Sequence, residues 1–412
     1  MQSLTISKNI LDNREEKNLF IQSLLTENQV ITLKANIPGL NKNTKEAFVL
    51  INYFDQILIN KGYKKSHQLS GADGPMFIYL TDKKLNVKDE MIKVEEEEML
   101  GRFVDIDVFN DSVSFNRSVL RKCYLCNNPA FVCARNKTHK LEEITEYIRK
   151  NIEKVIYEFV KIVCDESIME ELNIHPKFGL VTPYTNGSHK DMNHELMITA
   201  KNSILESFVE MFKVGYHNDD LEKIFKDSRM IGIDAEKNMF KATNGVNCYK
   251  GLIFDLGLIT ASLGYKLGHL DKDINIFDIV KKMTKGITEE LKCGNETFGK
   301  YAYQTYNIGG ARMEAEYGFP HVQKLLKDNL DITASLIYLI SNIDDTVLLK
   351  RCGTYQKYLD IKIRFKNLNM NDSSIKDLND YCIANNLSFG GAADLLIVYL
   401  FVTKFNKIIN IL

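Results

Sequence analysis

LEEITEYIRKNIEKVIYEFVKIVCDESIMEEL, residues 141–172, is the stretch at which the chain changes texture. Before it, helices and strands are both signalled; from it onward the pattern is helical and strand alternation almost disappears. Upstream, QVITLKANI reads as a strand ended by Pro38-Gly39, and TKEAFVLINYFDQILINKG places Phe48, Ile51, Asp55 and Leu58 on one helical stripe with Gly62 as the stop. GADGP at 71–75 is turn chemistry before a short buried strand, MFIYL. The acidic run Glu95–Glu98 reads as a solvated face or edge. Downstream, long apolar-periodic segments are separated by glycine-rich breaks: FGLVTPYTNG, NGVNCYKG, NIGGARMEAEYGFP and LSFGGAADLL. The expected architecture is an α+β domain with a mixed sheet over 1–155 and an all-α multi-helix domain over 156–412. The helix around 141–165 is the expected joint.

The 412 residues carry a formal net charge of −1, with 45% hydrophobic and 26% charged residues. This is globular composition, and it gives no basis for bulk nucleic-acid binding. No run approaches the about 18 apolar residues of a membrane helix, and the polar N-terminus does not resemble a secretory signal. The cytoplasm is therefore the expected compartment, where the eight cysteines would be thiols, ligands or core residues.

GRFVDIDVF (101–109) alternates strictly, with Val104, Ile106 and Val108 on one face and Phe103, Asp105, Asp107 and Phe109 on the other. Two carboxylates on one strand face repel, and a divalent cation such as Mg²⁺ relieves the repulsion. The bland reading is a polar outer face. Arg102, Arg117, Arg121, Arg135 and Lys137 surround the pair in sequence and suit a phosphate-rich substrate. Immediately after it, Cys123, Cys126, Cys133 and His139 form a C-x2-C-x6-C-x5-H set. That donor set suits tetrahedral Zn²⁺, and a cluster of reduced thiols has the same spacing.

In the second half the breaks collect charge. Lys177, Lys190, Lys250, Arg312 and Arg351 are candidates for a polyphosphate; Asp191, Glu314, Glu316, Asp344, Asp345 and Asp394 are candidates for Mg²⁺ or a general base. The glycines of GGAR and FGGAAD, among them Gly310, Gly390 and Gly391, allow close approach of backbone to a ligand. Helix capping by glycine and solvated charges would explain any one break alone.

Both halves resemble known families. GRFVDIDVF followed by RKCYLCNNPAFVCARNKTH resembles the citrate lyase holo-acyl-carrier-protein synthase family, whose strand G-R-x-x-D-I-D-V precedes R-x-C-x-L-C and C-A-R-x-x-x-H segments. Arg102, Asp105, Asp107, Arg121, Cys123, Cys126, Cys133, Arg135 and His139 fall on pattern positions. The resemblance implies a nucleotidyltransferase-like fold. It also implies transfer of a phosphoribosyl-dephospho-CoA group to a serine of the acyl carrier (gamma) subunit of citrate lyase, with Mg²⁺ on the aspartates. HPKFGLVTPYTNGSHKDM, MFKATNGVNCYKGLIFDLGL, GGARMEAEYGFP, DDTVLLKRCG and NLSFGGAADLL resemble the triphosphoribosyl-dephospho-CoA synthase family. This implies that ATP and 3′-dephospho-CoA react with loss of adenine. It places His189, Lys190, Lys177, Lys250, Arg312, Arg351 and Asp394 around nucleotide and triphosphate, and Asp191, Glu314 and Asp345 at the chemistry.

The match has departures. Phe178 and Phe389 replace prolines, Thr182 and Asn238 replace aspartates, Tyr249 a histidine, Val347 an asparagine and Ala392 a serine. The departures at Thr182 and Asn238 would weaken a metal or base site if those positions serve one. Two further readings stand at this level: a zinc-containing nucleotide-binding interaction protein with a degenerate helical half, and a Mg²⁺-dependent helical hydrolase of ADP-ribose-type ligands.

Overall fold

Five strands, β1 (Gln29–Ala35), β2 (Lys64–Leu69), β3 (Met76–Thr81), β4 (Val104–Asn110) and β5 (Val113–Ser114), form one sheet in the order β2-β3-β1-β4-β5. The computed structural model describes residues 2–25, 29–82, 87–110, 113–114, 120–270, 272–292 and 297–411. All four neighbouring pairs run antiparallel, which corrects the expected mixed sheet. The reason is local. The chain leaves β1 through α2 (Lys45–Asn60) and passes the neighbouring place, and the hairpin through GADGP then returns β3 into it, beside β1. Each strand therefore meets its neighbours in opposite sense.

The expected α2 starts where Thr44 accepts a hydrogen bond from the Ala47 N–H, and Gly62 follows its end in the left-handed region (φ 90°). Ile51, Asp55 and Leu58 are buried as the stripe requires, and Phe48 is half-buried. Asp55 accepts from the Tyr79 hydroxyl at 2.7 Å, so α2 covers the sheet face that carries Ile31, Leu33, Phe77, Ile106 and Val108, all buried. On the other face Lys34 stands opposite Asp105 and Thr32 opposite Asp107. Part of that face is dry: Ile21 and Leu25, on and just beyond α1 (Gln2–Leu24), pack against Val30, Met76 and Ile78, with Phe109 joining them. The D-x-D pair thus lies beside a docked helix rather than on a bare polar surface.

After α3 (Val87–Glu97) and α4 (Ala130–Asn136), α5 (Leu141–Leu172) runs unbroken through the change of texture. The chain divides into two compact units inside α5, between Glu158 and Phe159, apart from short returns at 269–272 and 407–410 to the first unit. The second unit is helical. Its centre is α8 (Lys250–Gly268), buried along nearly its whole length, against α6 (His194–His217) and α7 (Leu221–Ala242). The approach of α6 to α8 is set by missing side chains. A Cβ on Gly215 would lie 1.9 Å from the Ala261 carbonyl oxygen, and one on Gly264 would lie 2.1 Å from that of Phe212. Three of the glycine-rich breaks open helices, at Lys250, Gly310 and Gly390. Among the described residues no single helix is long and apolar enough to cross a membrane.

Gly264→Ala should lower the melting temperature of the helical unit even though alanine is the better helix former by about 1 kcal/mol. The overpacking cost is expected at about 1–3 kcal/mol. A melting temperature equal to or above wild type in a calorimetric scan would show that the two helices separate without cost.

Candidate functional site

In the first unit Arg121 fixes one of the two aspartates of β4. Arg121 donates to the Asp105 carboxylate at 2.5 Å, to Glu95 Oε1 at 2.8 Å and to the Val104 carbonyl at 3.0 Å. Glu95 also accepts the Ile106 N–H at 2.6 Å, in the part of the β4 edge that the short β5 leaves open. It is buried, so the expectation of a solvated acidic run fails at this residue, and one member of the run is an anchor of the site. Asp107 is exposed, and among the described residues it has no hydrogen-bond partner. Its pKa is nevertheless raised, first by the protein closing around it and then by the Asp105 charge. Two carboxylates of which one is paired and the other is uncompensated fit a divalent cation.

Sequence reasoning missed Lys34, which stands opposite Asp105 on this face, and the cations gathered around Asp73 and Gly74. Lys34 is ion-paired with Asp73 of the GADGP turn, Arg14 donates to Asp73 at 2.8 Å, and Lys17 donates to the Gly74 carbonyl. Burial, then the nearby Lys34 charge, push Lys17 down to about 8. Arg102 instead donates to the Lys122 and Cys123 carbonyls at 3.2 and 3.1 Å, so it braces the cysteine loop. Arg135 is exposed on α4 and Lys137 is exposed at its left-handed C-cap. Arg117 lies outside the described residues.

The cysteine loop is assembled. Cys123 N–H donates to the Asn128 carbonyl at 2.7 Å, closing the turn that carries Cys126, and α4 presents Cys133. The ligand atoms of Cys123, Cys126, Cys133 and His139 all lie within 4.8 Å of one another. Cys126 and Cys133 sulfurs are 3.4 Å apart and His139 Nε2 is 3.3 Å from Cys126 Sγ. Tetrahedral zinc with Zn–S near 2.3 Å requires sulfurs about 3.8 Å apart, so the set fits the ion with a small expansion.

In the second unit a cavity of about 760 Å³ gathers residues from distant breaks: Lys177, His189, Asp191, Lys250, Gly310, Glu314, Asp344, Asp345, Arg351, Gly390, Gly391 and Asp394. Lys190 lines a shallower hollow beside it, and Arg312 lines a separate groove. Glu316 is occupied elsewhere, accepting from Thr288 and the Gly286 N–H. Arg351 donates to the Ser188 carbonyl and to His189 Nδ1, which leaves His189 Nε2–H to donate to Ser388 Oγ at 2.9 Å. Burial and then the Arg351 charge lower the His189 pKa, keeping the ring neutral.

The cavity holds more carboxylate than the motifs advertised. Glu171, near the end of α5, is buried and ion-paired to buried Lys177 at 3.0 Å. Asp255, in the middle of α8, lines the cavity with Oδ1 buried and unpartnered. The available signal was a lone aspartate inside the otherwise apolar run LIFDLGLI. Asp255 and Asp394 are both held well above the ordinary carboxylate range, by burial first and by neighbouring carboxylates second. Glu314 Oε1 accepts from His321 at 2.5 Å, while Oε2 is buried without a partner among the described residues. Asp345 is different, since its oxygens accept the N–H groups of Val347, Leu348 and Ala392.

Phe178, Phe389, Thr182 and Asn238 are accommodated away from the cavity, whereas Tyr249 and Val347 line it. Buried Phe178 and Phe389 both pack on Phe365, with ring centroids 4.9 and 5.1 Å away, so the two prolines are replaced by one aromatic cluster. Thr182 Oγ1 accepts from the Tyr184 and Thr185 N–H groups, a turn role an aspartate also fills. Asn238 is exposed on α7, and neither residue lines the cavity.

Two family models cover the chain. The one for apo-citrate lyase phosphoribosyl-dephospho-CoA transferase matches residues 5–155, and the one for ATP:dephospho-CoA triphosphoribosyl transferase matches 160–411. The chain belongs to the fused CitX–CitG family. It is 31% identical to Protein CitXG of Leuconostoc mesenteroides subsp. cremoris over 96% of both chains. It is 30% identical to Protein CitXG of Haemophilus influenzae over 96% of this chain and 95% of the other. A 2-(5''-triphosphoribosyl)-3'-dephosphocoenzyme-A synthase of Haemophilus ducreyi is 31% identical over 67% of this chain and 98% of its own. The protein is a bifunctional transferase of citrate lyase maturation. The hydrolase and interaction-module readings gain no support from these matches.

The raised pKa of Asp255 has a thermodynamic consequence. The folded state keeps a proton that the unfolded chain releases near pH 3.9, so stability falls as pH rises from about 4 toward the folded value. Asp255→Asn abolishes this slope. Without ligands the variant should melt above wild type at about pH 8, with the difference closing toward about pH 4. A difference independent of pH would mean that the carboxyl is not buried as described.

Proposed function

We propose that the second unit, residues 156–412, makes 2′-(5″-triphosphoribosyl)-3′-dephospho-CoA from ATP and 3′-dephospho-CoA, releasing adenine. Residues 1–155 then transfer its phosphoribosyl-dephospho-CoA group to a serine of the apo carrier (gamma) subunit of citrate lyase, releasing pyrophosphate. The observation that carries the reading is the convergence of five separated motif segments on one cavity, together with the Arg121–Asp105–Glu95 frame on β4.

In the helical unit, Glu314 is the base we favour for the attacking 2′-hydroxyl. Its free oxygen is buried and lines the cavity, and His321 holds the other. Asp191 is exposed at the cavity rim, and Asp345 shapes the floor through its backbone bonds. Arg351, neutral His189, Lys250 and the N–H groups at Gly310 and Gly390 suit the triphosphate. The buried Lys177–Glu171 pair supports the wall. Asp394 stands at the first turn of α8, its Oδ2 where a Cβ on Gly251 would be.

In the first unit Arg121 holds Asp105 in place and leaves Asp107 exposed, while Lys34, opposite Asp105, is ion-paired with Asp73, which Arg14 also holds. Mg²⁺, held by Asp105 and Asp107, would neutralise the charge that builds up on the leaving pyrophosphate. Zn²⁺ on Cys123, Cys126, Cys133 and His139 would tie the loop that Arg102 braces and that carries Arg121 at its start. The cytoplasm, with reduced thiols and available nucleotides, is the compartment this chemistry suits.

A two-stage assay separates the halves. With ATP, Mg²⁺ and dephospho-CoA the protein should release adenine, and adding apo carrier subunit should raise the carrier mass by one phosphoribosyl-dephospho-CoA group. Glu314→Gln should slow adenine release about 100-fold or more. Asp107→Asn should leave adenine release intact and abolish the mass increase from pre-formed intermediate. Wild-type carrier modification by Asp107→Asn would remove the aspartate pair from the reaction. Elemental analysis should find one zinc per chain, lost in Cys126→Ser together with thermal stability of the first unit; a zinc-free protein that still modifies carrier would reduce the cluster to packing.

A further inference from the structure

The synthase reaction joins two nucleotides at one ribose, so the acceptor's long tail needs a place outside the cavity that holds the reacting centres. A second groove of about 300 Å³ lies between α7 and α8, and Lys250 lines both it and the main cavity. Its walls are apolar, from Met211, Phe225, Ile253 and Leu258, and inside it the buried Ser228 hydroxyl has no partner among the described residues. At its rim Arg229 and Arg312 share a single carboxylate, Glu290, at 2.6 and 3.7 Å. Two guanidinium groups against one acid leave a net positive charge beside an apolar channel. The groove mouth also exposes Ile233 (41%), and Met230 (56%) neighbours it on α7.

This layout matches the part of dephospho-CoA that ATP lacks. Dephospho-CoA is ADP extended from its β-phosphate by pantetheine, a chain with a gem-dimethyl group and two amides. We propose that this groove is the acceptor subsite: Arg229 and Arg312 take the pyrophosphate, the apolar walls take the pantetheine arm, and Ser228 bonds one of its amides. The proposal rests on the synthase reading of the helical unit. It also explains why Arg312, expected from its motif at a polyphosphate, stands outside the main cavity. The phosphates it meets are those of the acceptor, not of ATP. An apolar arm confined between helices discriminates acceptor from donor, which share the same adenosine and the same charged linkage.

Gly232 offers a direct test. It lines the groove from α7, and a Cβ there would meet Met211 and Ile253 at 3.5 and 3.6 Å, ordinary contact distances, so larger side chains project into the channel without a backbone clash. Calorimetric titration of the full chain with dephospho-CoA and, separately, with ADP reads the contribution of the arm. Wild type should bind dephospho-CoA at least about tenfold more tightly than ADP, a difference of about 1.4 kcal/mol. Gly232→Leu should erase that difference while leaving ADP affinity as it was. Ile233→Asp, an exposed substitution that does not threaten folding, should weaken dephospho-CoA more than ADP. If Gly232→Leu and Ile233→Asp both keep the full preference, or wild type shows none, the arm does not bind here and the proposal is wrong. Adenine release from ATP and dephospho-CoA by the wild type is measured alongside. Its absence would overturn the synthase reading itself, whereas its presence with an unaltered preference in the variants would overturn only the subsite.

Discussion

Asp345 is the constraint on which the helical site depends. One of its oxygens accepts the Val347 and Leu348 N–H groups at 2.8 and 2.9 Å, capping the helix Thr346–Cys352. The other accepts the Ala392 N–H at the start of the helix Gly390–Asn406. Two helix N-termini, each a partial positive charge, therefore converge on one buried carboxylate. Any side chain at Gly391 would press on it, since a Cβ there would be 3.2 Å from the carboxylate. Gly310 is held equally close to Thr346, at 3.1 Å for its hypothetical Cβ. Gly391 thus owes its identity to this capping interaction, whereas Gly310 also needs glycine for its left-handed backbone (φ 54°).

Much of this was legible because glycine, charge and break coincide in the sequence. Lys250, Gly310, Gly390 and Arg351 could be nominated without a structure, since a break that opens a helix must expose backbone donors. The strand alternation of Val104, Ile106 and Val108 was equally readable. What was not legible depends on register or on three-dimensional neighbourhood. Lys34 stands opposite Asp105 only because β1 and β4 pair in that register. Glu95 belongs to an acidic run that looks solvated, and only the fold brings the edge of β4 and Arg121 to it. Asp255 sits where helix periodicity alone would expect a leucine, and its meaning comes from the carboxylates that other helices bring to it. The sheet direction failed for a related reason: strand patterns say which face is buried but not which neighbour the chain returns to.

The substitutions that depart from the family pattern follow two different rules. Phe178 and Phe389 are coupled through Phe365, so a change at one is compensated by the other within the same core cluster. Thr182 preserves a hydrogen-bond acceptor while giving up charge. Both cases keep the local backbone and leave the carboxylates of the cavity untouched, which is consistent with a chain that retains both activities of its family.

The way Glu95 and Lys88 meet β4 has a consequence for the protein as a solute. Beyond its two-residue pairing with β5, the outer rim of β4 would present free N–H and C=O groups, the template on which sheets of different molecules join. Glu95 takes the Ile106 N–H and Lys88 the Ile106 carbonyl at 2.6 and 3.4 Å, and Arg121 takes the Val104 carbonyl. The same side chains that order the aspartates therefore blunt a sticky strand. Selection against aggregation and selection for the reactive geometry act there on one set of residues.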